Sequence, residues 1–314
     1  MDGNDVDTGQ RPFVGEADRQ AMMVLSRASA THNLHVVDLP YRLSSWALDD
    51  PGNVGLWVDT EGRLLAWAVM QTPFWTIDYA CASGAEPHLH RQLLTWADQR
   101  AQEMLASPYG HPCWFVNVFS DQTDRVRDLE AAGYTCQADV GEDSWSKVLM
   151  HRPAHLPVAD STPPAGFAIR PLAGGDEVEA YVALHRTVFE SKSMTPAWRA
   201  RTLHRPEYRP DLDLVAMAPD GRLAAFCICW LDDSAASPSG QIEPLGVHED
   251  FRGLGLGRAI LTEGLRRLHR HGVDRVFVET DKDRNAAMGL YQAVGFRVIR
   301  DVLVYRKDYE RASI

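Results

Sequence analysis

Residues 240–258 read Gly240-Gln-Ile-Glu-Pro-Leu-Gly-Val-His-Glu-Asp-Phe-Arg252-Gly253-Leu-Gly255-Leu-Gly257-Arg258, and this stretch decides the fold. A strand over 240–247 feeds a turn with glycine at every second place, and the turn opens an amphipathic helix over 255–271. Alternating glycines let successive backbone N–H groups converge without Cβ obstruction, and the head of a helix adds partial positive charge. Such a turn suits a diphosphate; its bland alternative is a tight connection with no ligand. Pro244 lies inside the strand and has no N–H to complete a ladder, so a bulge is expected there. A bulge splays two strands and frees backbone donors, Leu245 N–H among them, to polarise a carbonyl.

Reading outward, the second half begins with a strand at 167–172 and a helix at 176–189. A short helix follows, with Thr195 as N-cap and Pro196 at the first position. Strands at 213–218 and 222–230 are joined by Pro219-Asp220-Gly221, a turn in which proline presets φ and glycine accepts positive φ. Beyond the glycine turn and its helix come a strand at 275–280, a helix at 284–294 and two closing strands at 296–299 and 302–306. The first half repeats this plan less legibly. It has a helix at 16–29, a hairpin at 55–69 turning at Glu61-Gly62, a strand at 75–81 and a helix at 89–105. A strand at 113–118, a helix at 123–132 and strands after Gly133 complete it. Leu129-Glu-Ala-Ala-Gly133-Tyr134 corresponds to Tyr291-Gln-Ala-Val-Gly295-Phe296, and Arg91-Gln-Leu-Leu94 to Arg258-Ala-Ile-Leu261. A Pro-rich run over 151–166 disfavours helix and central strand. The expected layout is therefore a flexible tail 1–11, a first domain 12–150, a linker 151–165 and a second domain 166–314.

Two motifs in the second half carry a family resemblance. Arg252-Gly-Leu-Gly-Leu-Gly257 resembles the Arg/Gln-x-x-Gly-x-Gly/Ala signature of the GNAT N-acetyltransferase superfamily. Asn285-Ala-Ala-Met-Gly-Leu-Tyr291-Gln-Ala-Val-Gly295-Phe296 resembles its second motif, with methionine at 288 in place of alanine. The degenerate first half makes the whole chain similar to tandem GNAT proteins: an α/β fold of two domains, each a central mixed β-sheet flanked by helices. The resemblance implies acetyl-CoA as acyl donor. Leu245, Gly246 and Val247 would line the pantetheine arm. The amides of Arg252, Gly253, Leu254, Gly255, Leu256, Gly257 and Arg258 would hold the pyrophosphate, with Asn285 bonding the arm from the other side. Tyr291 is the candidate acid for the departing thiolate, the alternative being a half-buried aromatic with a satisfied hydroxyl. Glu243 is the candidate base or a substrate-orienting group. In several family members the catalytic glutamate stands two places earlier, where this chain has Gln241, and an amide cannot act as a base.

In the first half the three cradle glycines become Glu86, His88 and His90, Tyr291 becomes Leu129 and Asn285 becomes Thr123. A second CoA site is not expected there; that domain would support the other and wall the acceptor pocket. His88 and His90 have ligand-like spacing but no third ligand nearby, so no metal is expected. Seven of the nine tryptophans fall in this half and are expected mostly in the core.

The 314 residues carry a net charge of −11, with 45% hydrophobic and 24% charged side chains. That balance is globular, and the length calls for two domains. All the excess acid lies before residue 166, where it could steer a cationic acceptor. With no basic run, a nucleic-acid partner is not expected. The acidic start does not resemble a signal peptide, and no segment reaches ~18 apolar residues, so no membrane partner and a cytoplasmic location are expected. Five cysteines without a CxxC pair suggest neither a disulfide framework nor a zinc knuckle. The leading expectation is an acetyl-CoA-dependent N-acetyltransferase acting on a primary amine of a small molecule or peptide, as a monomer or homodimer. The alternatives are a non-catalytic acyl-CoA-binding module, which Gln241 favours, or a transferase for a longer acyl group.

Overall fold

A computed structural model describes residues 8–83, 86–105, 107, 111–142, 144–158, 160, 162–234 and 237–310. In chain order the elements are β1 (Gly9–Arg11), α1 (Glu16–Ala28), α2 (Leu39–Arg42), β2 (Val54–Val58), β3 (Leu64–Gln71), β4 (Thr76–Cys81), α3 (Glu86–Leu105), β5 (Cys113–Phe119), α4 (Thr123–Ala131) and β6 (Thr135–Cys136). There follow β7 (Ser146–Pro153), β8 (Ala168–Pro171), α5 (Val178–Phe189), α6 (Pro196–Leu203), β9 (Asp213–Met217), β10 (Leu223–Asp232), β11 (Ser239–Val247), α7 (Leu256–Arg270), β12 (Arg275–Asp281), α8 (Asn285–Ala293) and β13 (Arg297–Asp308). They form two compact units: the chain up to Lys147 together with the residues from Asp301 on, and Val148–Arg300.

The first unit is built on a mixed sheet ordered β1-β2-β3-β4-β5-β13, with β6 on the other side of β13. Only β4 and β5 in it are parallel. Alternation along β3 buries both faces. Trp67 and Val69 pack with Met22 and Met23 of α1, while Ala66, Ala68 and Met70 pack with Leu93, Ala97 and Ala101 of α3. Within the second unit the order is β7-β12-β11-β10-β9-β8, with β11 and β12 parallel. The apolar stripe of α7, including Ile260, Leu261, Leu265 and Leu268, covers one face. On the other face α5 brings Tyr181 and His185 around Phe226, the His185 ring lying stacked on that phenyl at 5.6 Å. Burial pushes this imidazole down to about 3, so it packs as a neutral ring.

Local signals place several elements as expected. Thr195 Oγ1 accepts from Trp198 N–H at 3.1 Å and Pro196 opens α6. Gly221 and Gly62 take φ of 85° and 80° in their hairpin turns. Cys227 and Cys229 share a buried face of β10, their sulfurs 3.9 Å apart.

Three expectations are corrected. The tail is not unstructured throughout, because Gly9–Arg11 pairs antiparallel with β2; residues 1–7 lie outside the described residues. The Pro-rich run begins inside structure. Residues 151–153 continue β7, and buried Arg152 donates to the carbonyls of Pro153, Leu156, Pro157 and Val294, fastening 152–157 to the end of α8. Residues 159 and 161 lie outside the described residues. Lastly, the two closing strands are one, β13, and from Asp301 it belongs to the first unit rather than to the domain expected over 166–314. Val302 through Asp308 pair with β5, and Val302 and Val304 are fully buried. Lys307 Nζ donates to Asp98 Oδ2 at 2.5 Å and to Ala132 O at 2.7 Å, and Tyr309 O–H donates to Asp98 Oδ1 at 2.5 Å. These partners are all in the first unit, and they fix where the strand goes.

Candidate active site

The opening between β11 and β12 begins where the expected bulge lies. From Ile242–Cys229 to Leu245–Cys227 the register takes three steps along β11 and two along β10, so Glu243 and Pro244 together oppose Ile228. On the other side, β11 pairs with β12 only through Ser239–Arg275, Gly240–Val276 and Gln241–Phe277. Past that pair the two parallel strands separate.

The ladder direction shows which backbone groups face the gap. His248 N–H bonds Ala224 O at 2.9 Å, and Gly246 stands opposite Phe226. In an antiparallel pair alternate residues exchange bonds with the neighbour, so Gly246 and His248 face β10. Leu245 and Val247 turn their N–H and C=O groups the other way, toward the open edge. Val247 O there accepts from Arg252 Nε at 3.2 Å. Gly246 is required by packing, because a Cβ on it would lie 2.5 Å from Val188 Cγ1 and 2.6 Å from Phe226 Cζ. Gly246→Ala is expected to destabilise the fold by about 1–3 kcal/mol through overpacking. Thermal denaturation checks this, and an unchanged midpoint would show that α5 yields freely.

The glycine turn ends the strand. Gly253 and Gly255 adopt φ of 79° and 81°, the left-handed region that L side chains rarely enter, and a Cβ on either would meet nothing within 4 Å. Gly255 is the N-cap of α7, so the amides of Leu256, Gly257 and Arg258 have no acceptor within the helix. Leu256 is buried, whereas Arg252, Leu254 and Arg258 are exposed. Gly257 fits against Val247, whose Cγ2 would be 3.3 Å from an added Cβ. The positions are thus open, cationic at one end and aimed at a helix terminus, which fits a diphosphate.

Asn285 is the first residue of α8 and is exposed, while Tyr291 lies buried on the same helix, edge-on to Phe296 at 5.7 Å. Burial, then the negative charge of Glu243, raises the Tyr291 phenol above its ordinary value. The same carboxylate raises Tyr181 after burial and Asp213. Glu243 therefore sits within electrostatic reach of both phenols. Trp230 Nε1 donates to Glu243 O at 2.7 Å and steadies the strand at the bulge. Gln241 is buried opposite Trp230.

Sequence reasoning missed a buried ionic cluster beside Tyr181. A buried ion pair joins Arg199 to Asp213, Tyr208 O–H donates to the same carboxylate at 2.7 Å, and the Arg199 guanidinium lies 3.9 Å from the centre of the Tyr181 ring. The signal available was Asp213 at the head of an otherwise apolar strand.

In the first unit the equivalent helix start is differently furnished. His90 is buried, its Nδ1 is 3.1 Å from Asp128 Oδ2, and its ring lies 5.1 Å from that of Tyr79. Leu129 is fully buried. Among the described residues no group of three or more His, Cys, Asp or Glu is placed to hold a metal ion, and no helix is long and apolar enough to cross a membrane.

Comparison with known proteins agrees with this geometry. Residues 178–296 match the sequence model of the Acetyltransferase (GNAT) family. Within the second unit, residues 178–296 are therefore similar to a GNAT-family domain. Among the curated relatives, the mycothiol acetyltransferase of Kineococcus radiotolerans is 41% identical over 144 residues, covering 44% of this chain and 45% of that protein. The mycothiol acetyltransferase of Thermobispora bispora is 30% identical over 166 residues, covering 50% and 56%. The chain thus spans about half the length of the curated relatives it matches. Two solved structures align over nearly the whole chain and share the fold. One is a GCN5-related N-acetyltransferase from Sphaerobacter thermophilus (TM-score 0.65, 20% identity, 96% and 95% coverage). The other is a tandem GNAT protein from the clavulanic acid biosynthesis pathway (TM-score 0.66, 15% identity, 96% and 98% coverage).

Proposed function

We propose that the protein is an acetyl-CoA-dependent N-acetyltransferase whose second unit transfers an acetyl group to a primary amine of a small-molecule or peptide acceptor. The observation that carries this reading is the open glycine turn at the head of α7, next to a strand whose Leu245 and Val247 backbone groups face an unpaired gap. The name shared by the relatives supports acetyl transfer.

Acetyl-CoA supplies an activated acetyl thioester when bound. The amide of Arg252, expected in the cradle, donates instead to Glu249 O at 3.2 Å; the amides of 253–258 hold the diphosphate, Leu245 and Val247 line the arm, and Asn285 meets it from α8. Leu245 N–H donates to the thioester oxygen and stabilises charge as it develops there. Glu243 takes a proton from the attacking amine, directly or through water. The C–N bond forms, the C–S bond breaks, and Tyr291 O–H gives its proton to the departing sulfur. Its raised titration keeps this phenol protonated at neutral pH and beyond its ordinary value of 10.0.

The test is calorimetric titration of acetyl-CoA together with CoA-thiol release over a library of amines. Binding without turnover on any amine would replace this reading by that of a CoA-binding module, and absence of binding would end both. Gly255→Glu puts a carboxylate at the cradle; its Cβ meets nothing within 4 Å, but φ of 81° strains any L side chain, so thermal denaturation checks that the variant is folded. It is expected to weaken acetyl-CoA binding at least about tenfold, which is about 1.4 kcal/mol. Wild-type affinity in that variant would remove the cradle from the account.

A further inference from the structure

Three of the arginines on α7 share one acid: Arg266, Arg267 and Arg270 lie 3.8, 2.8 and 3.6 Å from Glu263. Arg258, on the same helix, does not. It stands in the first turn, where the positive end of the helix dipole disfavours a cation. Among the described residues its side chain has no carboxylate, hydrogen-bond acceptor or ring as partner.

A second unbalanced charge belongs to the same place. Arg152 is 2% exposed, and its hydrogen bonds all go to backbone carbonyls. Burial holds it below its ordinary value, with no acid to offset the effect. A guanidinium keeps its charge even so, and a buried cation without an anion is costly. Arg152 and Arg258 line one cavity of about 270 Å³, whose wall contains no acidic residue. Apart from the hydroxyl of Thr262, the rest of that wall is apolar, with Leu156 and Val158 from the segment after β7 and Val294 from the end of α8. All of it lies in the second unit, and residues 152–158 come ahead of the GNAT-like stretch 178–296.

Two cations and an apolar wall suit a ligand that carries an anion beside a flat, largely apolar body. The cavity shares Arg258 with the glycine turn, to which the diphosphate is assigned above. Beyond its diphosphate, acetyl-CoA continues as adenosine bearing a 3′-phosphate, which has both features. A volume just under the ~300–1,000 Å³ of pockets that enclose whole ligands suits one end of a long molecule.

We propose that this cavity is the nucleoside subsite. Arg258 pairs with the 3′-phosphate, Arg152 adds a second, buried positive charge, and Leu156, Val158 and Val294 cover the base. The segment joining β7 to β8 thereby helps to select the phosphorylated carrier over dephospho-CoA. This assignment rests on the acetyl-CoA reading, and its test separates the two.

CoA and dephospho-CoA, which differ only in that phosphate, are titrated calorimetrically into the full chain. The wild type is expected to bind CoA at least about tenfold more tightly, the worth of one charge-assisted pair. Arg258→Gln brings the two affinities within about twofold of each other by weakening CoA alone. Its unchanged affinity for dephospho-CoA shows that the variant is folded, and Arg258→Lys restores part of the difference. Leu156→Ala weakens both carriers by the same factor, at least about threefold, because the base is common to both. Equal binding of the two carriers by the wild type overturns the subsite and leaves the acetyl-CoA reading standing, as does a difference that survives in Arg258→Gln. Wild-type affinities in Leu156→Ala overturn the placement of the base. No binding of either carrier removes the acetyl-CoA reading and the subsite with it.

Discussion

A chain that stops after Arg300 is expected to lose the first unit's fold, although it retains every residue up to Lys147. The missing segment supplies an interior strand, flanked by β5 on one side and β6 on the other. Val302, Val304, Tyr305 and Tyr309 are all buried, and burying a large apolar side chain contributes about 1.5–3 kcal/mol. Four such side chains amount to roughly 6–12 kcal/mol, comparable with the whole stability of a domain at about 5–15 kcal/mol. The Asp98 carboxylate also loses both its partners, Lys307 and Tyr309. Limited proteolysis should cut residues 8–147 rapidly in the shortened chain while Val148–Arg300 resists. A cooperative transition at the full-length midpoint, with protection of both units, would contradict the assignment of β13.

The second large effect concerns chemistry alone. Tyr291→Phe keeps the ring against Phe296 and removes only the hydroxyl. General acid catalysis typically contributes about 10²–10⁴-fold, so kcat is expected to fall by about 10²-fold or more. Acetyl-CoA binding should change little, because the diphosphate and arm contacts are elsewhere. With the hydroxyl gone, a Glu243-dependent acidic limb should persist in the pH profile of the residual rate. Full activity in Tyr291→Phe would remove the phenol from the mechanism, and a parallel loss of acetyl-CoA affinity would make it a binding group.

What the sequence disclosed, and what it concealed, follows from how far apart the deciding residues stand. The Thr195 cap, the turn at Gly221, the glycine run and the bulge at Pro244 depend on neighbours in the chain, and each lies where local chemistry puts it. Strand partnership does not. Val302 and Val304 alternate with polar residues in the same way whichever sheet receives them, and their destination is settled by Asp98 and β5, about 200 residues away. Arg152 likewise reads as a surface charge until the carbonyls of 153–157 and Val294 gather around it. At the candidate site, Tyr291, Asn285 and the cradle are the residues the sequence proposes, because motifs carry them. The buried Arg199–Asp213 pair carries no motif, and the sequence does not announce it.

The late arrival of β13 also sets a timetable for synthesis. When the first unit's main segment has left the ribosome, its interior strand β13 is still about 160 residues from being made, a delay of roughly 10–30 s at ordinary translation speeds. During that interval β5 has an open side and the apolar surface meant for Val302 and Val304 is bare. The nascent protein must therefore be held soluble from the outside until its last stretch emerges, so folding helpers that shield unfinished chains should matter more to this protein's yield than to that of a chain whose domains close in order.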